Sequence, residues 1–384
     1  MNITAPKFDD DEIHLLKQCL NSGWVTQGPL VDQFEQTFAH RHQVAHALAT
    51  TSCTAALHLA MLALGIGPGD EVIVPAFTWV TSAHCAEYVG ARVVFADVEP
   101  DTFNLDPRAF EAAITERTKA VVVVHLFGLS AKMDEIMEIA RRNNLSVIED
   151  AACAIGTTYN NQPVGVIGDV GCFSFHPRKI ITTGEGGMVT TNRDDIALKI
   201  KSLRNHGATG PPPGIDDVTK PYVMATFNNL GFNLRLSDIQ AAVGVAQMAK
   251  LDELLEERLA NAIRYNELLS EINEIATPFL PDHCCHTYQS YVIRLLQGGM
   301  KRRNAIMDFF SFNRIQTRPG THAVHRLGYY ARKYNIRSEE FPNAALCEDT
   351  TITLPIFPGM TESDQVFVKD TLIKALKTKD NTTC

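Results

Sequence analysis

The sequence predicts an α/β fold, on two observations: apolar runs short enough for strands, and helical segments lying between them. Runs that are apolar throughout, rather than alternating with polar residues, indicate a parallel sheet covered on both faces. A third observation, a change of pattern after Asn233, predicts a second, smaller α+β domain. The expected division is a large domain over 1–250, amino-terminal segment included, and a small C-terminal domain over 251–384.

In chain order, Thr54–Leu64 (TAALHLAMLAL) has helix composition, and Gly65-Ile-Gly-Pro-Gly-Asp70 stops it. The β-branched runs Glu71–Pro75 and Ala91–Ala96 read as strands, and Thr118–His125 as a buried one. A helix over Met133–Asn143 precedes another strand, Leu145–Asp150, which ends on two acids. Met248, Leu251, Leu254, Leu255, Leu259, Ile263 and Leu268 recur at helical spacing and predict one long amphipathic helix leading out of the sheet domain. Beyond it, Tyr288–Leu296 and Arg314–Arg318 read as strands, and Thr361 opens a capped amphipathic helix. Gly210–Asp217 is too rich in proline and glycine for regular structure, and the last residues, from Lys377, read as frayed.

With 45% hydrophobic and 21% charged residues over 384 positions, the disordered classes are excluded. A net charge of −9 without a dense Lys/Arg block argues against nucleic acid. No uninterrupted apolar stretch reaches membrane-spanning length and no leader pattern opens the chain, so a soluble, cytoplasmic protein is expected. Nine scattered cysteines without C-x-x-C spacing point away from zinc and from a disulfide framework, and Cys284–Cys285 reads as two reduced thiols. Gly65–Gly69 follows a helix rather than a strand, so it is not a dinucleotide fingerprint.

Three features carry chemistry. The hydroxyl-rich run Ala49-Thr-Thr-Ser-Cys-Thr54 stands before a helix, where backbone N–H groups cradle anions; it also reads as an ordinary cap. Asp150 ends a strand of the sheet, where ligands gather, and reads either as the partner of a ring nitrogen or as a cap on the next turn. Third, Gly171–Gly187 runs from a strand through Ser174 to Lys179 and a glycine-rich turn. A lysine among small and apolar neighbours can condense with an aldehyde and shuttle protons once a substrate amine displaces it. His125, ending a strand, reads as a satisfied structural histidine.

The segments TSCTAALHLAMLALGIGPGDEVIVPAFTWV, VIEDAACAIGTTY, FSFHPRKIITTGEGG, LGFNLRLSDIQAAVG and LPIFPGMTESD together resemble the DegT/DnrJ/EryC1/StrS family. The likeness extends from the Ser22–Pro29 loop to the C-terminal helix. It implies a fold-type I, pyridoxal 5'-phosphate-dependent transaminase with a mostly parallel, mixed seven-stranded sheet covered by helices. It further implies that Lys179 bonds the cofactor and moves the proton, that Asp150 pairs with the pyridine nitrogen, and that Trp79 stacks on the ring. Ser52, Cys53, Thr54 and Ser174 would hold the phosphate; Asn233 would reach the phosphate of a neighbouring subunit, so a homodimer with shared active sites is expected. Arg235, Arg318 and His322 fall where the family meets substrate or partner chain. Two positions depart from the common pattern: Cys53 stands where many members have Gly, and Cys153 where many have Gln or His.

The expected reaction moves an amino group from glutamate to a nucleotide-linked keto-sugar, with a 4-keto-6-deoxy sugar first and a 3-keto sugar second. A sugar dehydratase of the same family would replace the lysine by histidine, and His176 does not take the place of Lys179. A DNA-binding regulator would need a reading module, which this acidic sequence lacks.

Overall fold

The computed structural model describes residues 1–211 and 220–378. The expected loop from 212 onward and the expected frayed end from 379 onward lie outside these residues. Seven strands form the main sheet: β1 (His46–Thr50), β2 (Glu71–Pro75), β3 (Arg92–Ala96), β4 (Thr118–Val124), β5 (Ser146–Asp150), β6 (Val170–Ser174) and β7 (Gly187–Thr191). Their order is β1-β7-β6-β5-β4-β2-β3. β7 pairs antiparallel with both neighbours, and the other pairings are parallel. The sheet is therefore the mixed, mostly parallel one expected.

Helices cover both faces because the strands are apolar on both. On one side α1 (Asp10–Ser22) leads to α2 (Pro29–His42), whose Val31, Phe34 and Phe38 pack with Val121, Val147 and Phe173. On the other lie α3 (Cys53–Ala63) and α4 (Thr81–Tyr88), with Leu57, Ala60 and Ala86 against Val72, Val122 and Ile148. α5 (Met133–Arg142) packs Ile136 and Ile139 on the first face, and α6 (Asp194–Leu203) packs Ile196 and Ile200 on the second.

The single long helix expected around 248–268 is two helices, α7 (Asp238–Ala249) and α8 (Leu251–Leu269), which meet at Lys250. The junction is held from outside: the Lys250 ammonium bonds Asp9 at 2.5 Å and Glu12 at 2.8 Å, both at the start of α1. The buried face also differs from the apolar stripe. Leu251, Leu254, Arg258, Ala262, Tyr265 and Leu269 are buried, whereas Leu259 and Ile263 are 40% and 48% exposed.

A second, antiparallel sheet comprises β8 (Ile275–Ala276), β9 (Tyr291–Leu295) and β10 (Thr351–Leu354), in the order β8-β9-β10. α9 (Gly299–Phe312) and α12 (Glu362–Lys377) cover it through Phe310, Val368 and Leu372, after α10 (Gly328–Tyr334) and α11 (Pro342–Thr350). Tyr330, Ala344 and Cys347 of α10 and α11 pack instead with the core of the main sheet. The strand expected at Arg314–Arg318 is absent: Arg314 adopts φ 59°, which no strand allows, and one bridge, Arg318 to Thr353, remains. α12 opens on a capping box between Thr361 and Asp364, as its sequence predicts.

Two buried histidines make this core sensitive to acid. His42 stacks on Phe38 at 4.0 Å, and burial pushes it down to about 4 from 6.5; His286 stacks on Tyr288 at 3.9 Å, and burial pushes it down to about 3. Below pH 6.5 an unfolded chain takes up protons that the folded one refuses, so their stabilisation is complete above that pH and is lost as pH falls through 4 and then 3. Melting temperature should fall from pH 7 toward 4.5, and His42→Phe, which keeps the stacking, should flatten that slope. An identical slope in the variant would remove His42 from the account.

Candidate active site

Parallel strands bring their carboxyl ends to one edge. There the turn after β1 delivers Ser52–Thr54, β5 delivers Asp150, and β6 delivers Ser174 and then Lys179. All of these line one cavity of about 370 Å³, together with Trp79, Cys153 and Arg318.

Ser52 caps α3, its Oγ accepting from the Ala55 amide at 3.1 Å. The amides of Cys53 and Thr54, at the first turn of the helix, have no carbonyl of their own helix to bond, and both residues line the cavity. β7 makes room for this turn: a Cβ on Gly187 would stand 2.5 Å from the Ser52 carbonyl carbon and 2.6 Å from the Cys53 nitrogen. Burial, and next the Asp150 carboxylate, push the Cys53 thiol well above its ordinary range, so it stays protonated.

Asp150 is buried, and its oxygens are aimed from two sides. Ser82 Oγ of α4 donates to Oδ2 at 2.6 Å, and the Ala152 amide donates to Oδ1 at 3.2 Å. Thr78 lies 3.0 Å from the Ser82 hydroxyl and completes the chain. Lys179 Nζ points at Cys153 Sγ, 3.1 Å away. Trp79 is 51% exposed with its ring 5.7 Å from that of His322. His125 is fully buried: its Nδ1 accepts from the Ala131 amide and its Nε2 donates to Glu149, the structural role expected.

Two guanidiniums line the cavity as well, the half-buried Arg318 and the exposed Arg178, which precedes Lys179 in the sequence, and neither has a carboxylate partner among the described residues. Burial, and next the charge of Arg178, lower the Arg318 guanidinium from its ordinary value. Burial also lowers His176; Lys179, Arg178 and Arg318 act in the same sense, against Glu185.

Three expected residues do not line the cavity. Asn233 is exposed and bridges Asn205 through its backbone; Arg235 donates to Asn205 Oδ1 at 2.6 Å; His322 sits outside, against Trp79. Other residues were not legible as lining: Ile3 and Thr4 at the amino end, and Gln289, Ser290, Thr353 and Ile356 from the second sheet's surroundings. Ser82 carried one faint signal, a hydroxyl in the first turn of the helix after Trp79.

A donor set of this kind fits pyridoxal phosphate: an amine, a buried carboxylate, an exposed indole, and a helix start that glycine keeps open. The comparisons agree. The model of the DegT/DnrJ/EryC1/StrS aminotransferase family matches residues 6–373. A GDP-perosamine synthase of Caulobacter vibrioides is 40% identical over 366 residues, 95% of each chain. The spore coat polysaccharide biosynthesis protein SpsC of Bacillus subtilis is 38% identical over 363 residues, 94% of this chain and 93% of the other. Among solved structures, the sugar aminotransferase Spr1654 of Streptococcus pneumoniae superposes with TM-scores of 0.92 in its PMP form and 0.91 in its PLP form, at 26% identity over 98% of each chain.

The Gly187 contact yields a test. Gly187→Ala should displace the Ser52–Cys53 peptide and weaken cofactor affinity about tenfold, a loss of ~1.4 kcal/mol, read by absorption titration of the cofactor-free protein. Unchanged affinity would mean that this turn does not hold the phosphate.

Proposed function

Because the chain belongs to the DegT/DnrJ/EryC1/StrS aminotransferase family and is a pyridoxal 5'-phosphate-dependent transaminase, we propose that it carries an amino group from glutamate to a nucleotide-linked 4-keto-6-deoxy sugar. The observation that carries the substrate class is the pair of guanidiniums without carboxylate partners among the described residues, Arg318 and Arg178, that line the same cavity as Asp150 and Lys179. Such a pair suits the carboxylates of the donor and the diphosphate of the acceptor in turn, since guanidinium binds both in forked geometry. The name of the Caulobacter relative adds a guanosine diphosphate amino sugar to the products worth screening.

When bound, pyridoxal phosphate supplies an aldehyde that exchanges amines and a ring that accepts electron density. The side chains then divide the work. The amides of Cys53 and Thr54 with the hydroxyls of Ser52, Thr54 and Ser174 bind the phosphate. Asp150, oriented by Ser82 and the Ala152 amide, holds a proton at the pyridine nitrogen. Trp79 covers one ring face, and Lys179 takes a proton from the substrate carbon and returns it. Lys179, rather than a histidine, is the feature that favours amine transfer over dehydration. His176 is engaged with the Arg178 amide through its Nδ1 at 3.2 Å.

The same reading assigns the cofactor to a large domain over 1–250 and closure over the sugar to a small one over 251–384. It makes the enzyme a homodimer in which the exposed Asn233 serves the neighbouring site. Among the described residues no helix is long and apolar enough to cross a membrane, which supports cytoplasmic work on a water-soluble sugar nucleotide.

Holoenzyme should absorb near ~410 nm and, after borohydride, carry the cofactor on Lys179 by mass spectrometry. Lys179→Ala should lose activity by roughly a thousandfold or more. A label elsewhere, or turnover by that variant, overturns the assignment. Screening nucleotide keto-sugars with glutamate, with 2-oxoglutarate release and NMR as readouts, tests the substrate; amination at C3 would replace the C4 reading. Mixed dimers of Asn233→Ala and Lys179→Ala should regain activity that neither variant has alone, and no recovery would remove Asn233 from the shared site.

A further inference from the structure

Lys179 is reached by a hydrogen-bonded line that starts in the other sheet's surroundings. Arg258 of α8 is buried and has no carboxylate partner among the described residues. Its Nη1 donates to three backbone carbonyls, of Tyr288 at 3.2 Å, Gln289 at 3.1 Å and Ile356 at 3.4 Å. Tyr288 adopts φ 47°, a left-handed conformation that a tyrosine holds only where its surroundings enforce it. This bend turns Gln289 into the cavity. There its Oε1 accepts from Ser290 Oγ at 3.2 Å, and its Nε2 donates to the carbonyl of Arg178 at 2.7 Å.

That carbonyl belongs to the peptide unit whose N–H is that of Lys179, and this N–H donates to the His176 carbonyl at 2.8 Å. The Arg178–Lys179 peptide is thus held at both ends, by its own turn and by a glutamine from more than a hundred residues away. Because a planar peptide so held cannot rotate, the direction in which the Lys179 side chain leaves the backbone is set.

We propose that Gln289 is the positioning residue for Lys179: its amide, aimed by Ser290, ties the lysine's peptide to the C-terminal part of the chain. The proposal rests on the reading of Lys179 as the reactive amine. It makes the lysine's aim depend on how the two sheets are seated, so that the amine is in line only when the C-terminal part is docked. The Arg178 carbonyl, which can only accept, fixes which end of the amide faces it, since a flipped amide would set two carbonyl oxygens against each other; Ser290 engages the other end.

Hydrogen exchange on the cofactor-free protein tests the link without relying on activity. Gln289→Met keeps length and loses both polar atoms; the amides of residues 178–180 should exchange about fivefold faster or more, while those of β4 and β5 keep the wild-type rate. Ser290→Ala should produce a smaller rise at the same place, and it decides the matter should the first variant fold poorly. In holoenzyme, Gln289→Met should shift the pH dependence of the cofactor absorption band and slow the half-reaction with glutamate about tenfold, with the cofactor retained. Unchanged exchange at 178–180 in both variants, or a rise spread evenly through the main sheet, overturns the proposal. Should borohydride fail to join the cofactor to Lys179 in the wild type, the functional reading falls, and the exchange measurement still decides whether Gln289 holds that peptide.

Discussion

The buried carboxylate of Glu149 organises the edge on which the site stands. Its Oε1 accepts from the amides of Ile167 and Gly168 at 2.7 and 2.6 Å, and its Oε2 from the Gly165 amide at 2.7 Å and from His125 Nε2 at 2.9 Å. One fully buried side chain thereby fixes the end of β4, the end of β5 and the loop that feeds β6. Without it three amides would lose their partner, that of Gly165 buried and those of Ile167 and Gly168 half-buried, at about 1–3 kcal/mol where water cannot take its place. Side chains alternate along a strand, so anchoring Glu149 on one face presents Asp150 on the other. The loop it gathers passes close under β6: a Cβ on Gly171 would stand 2.0 Å from the Gly165 carbonyl oxygen. Ser174, three residues on, inherits its position from that contact.

What could be read from the sequence follows from this division of labour. Strands such as Thr118–Val124 and Ser146–Asp150 are apolar because both faces are covered, and that signal is local. So is the start of α3, where Ser52 caps the helix and Cys53 and Thr54 line the cavity. The two acids ending β5 were visible too, but not that the first is structural, because its partners lie 16 to 24 residues away. Arg258 is the clearest failure of pattern. Its three carbonyl partners come from 288, 289 and 356, so a charged residue faces inward on α8 between buried Leu254 and Ala262, while Leu259 and Ile263 of the apolar stripe are left exposed. The break at Lys250 has the same origin, since Asp9 and Glu12 hold it from the far end of the sequence.

The charge balance sharpens the account of binding. A chain of net charge −9 cannot draw anions by its overall field. Attraction must come from short-range groups: helix-start amides, hydroxyls and the guanidiniums of Arg178 and Arg318. Leaving the half-buried Arg318 without a carboxylate is costly, as its lowered basicity indicates. The cost makes sense if an anion from solution supplies the missing charge, and it keeps that wall selective for ligands carrying one.

The two walls of the cavity differ in how they are built, and the difference bears on what each can do. The wall with Ser52, Asp150 and Ser174 stands on strand ends and a helix start, all tied into the main sheet. The facing wall is assembled from the amino-terminal Ile3 and Thr4, from Gln289 and Ser290, and from Arg318 to Ile356. Its pieces are stitched by backbone bonds, from Ile356 to the Ile3 carbonyl and from Gln316 to that of Met1. Elements fixed by a sheet hold a reacting group to a fraction of an ångström, whereas connected loops tolerate substitution and adjust to ligands. A single cofactor geometry can therefore serve different sugars by changes confined to the second wall. Gln289 is where the two meet: it belongs to the adjustable side yet bonds the peptide that carries Lys179, which is why we propose that the fit of the second wall is felt at that amine.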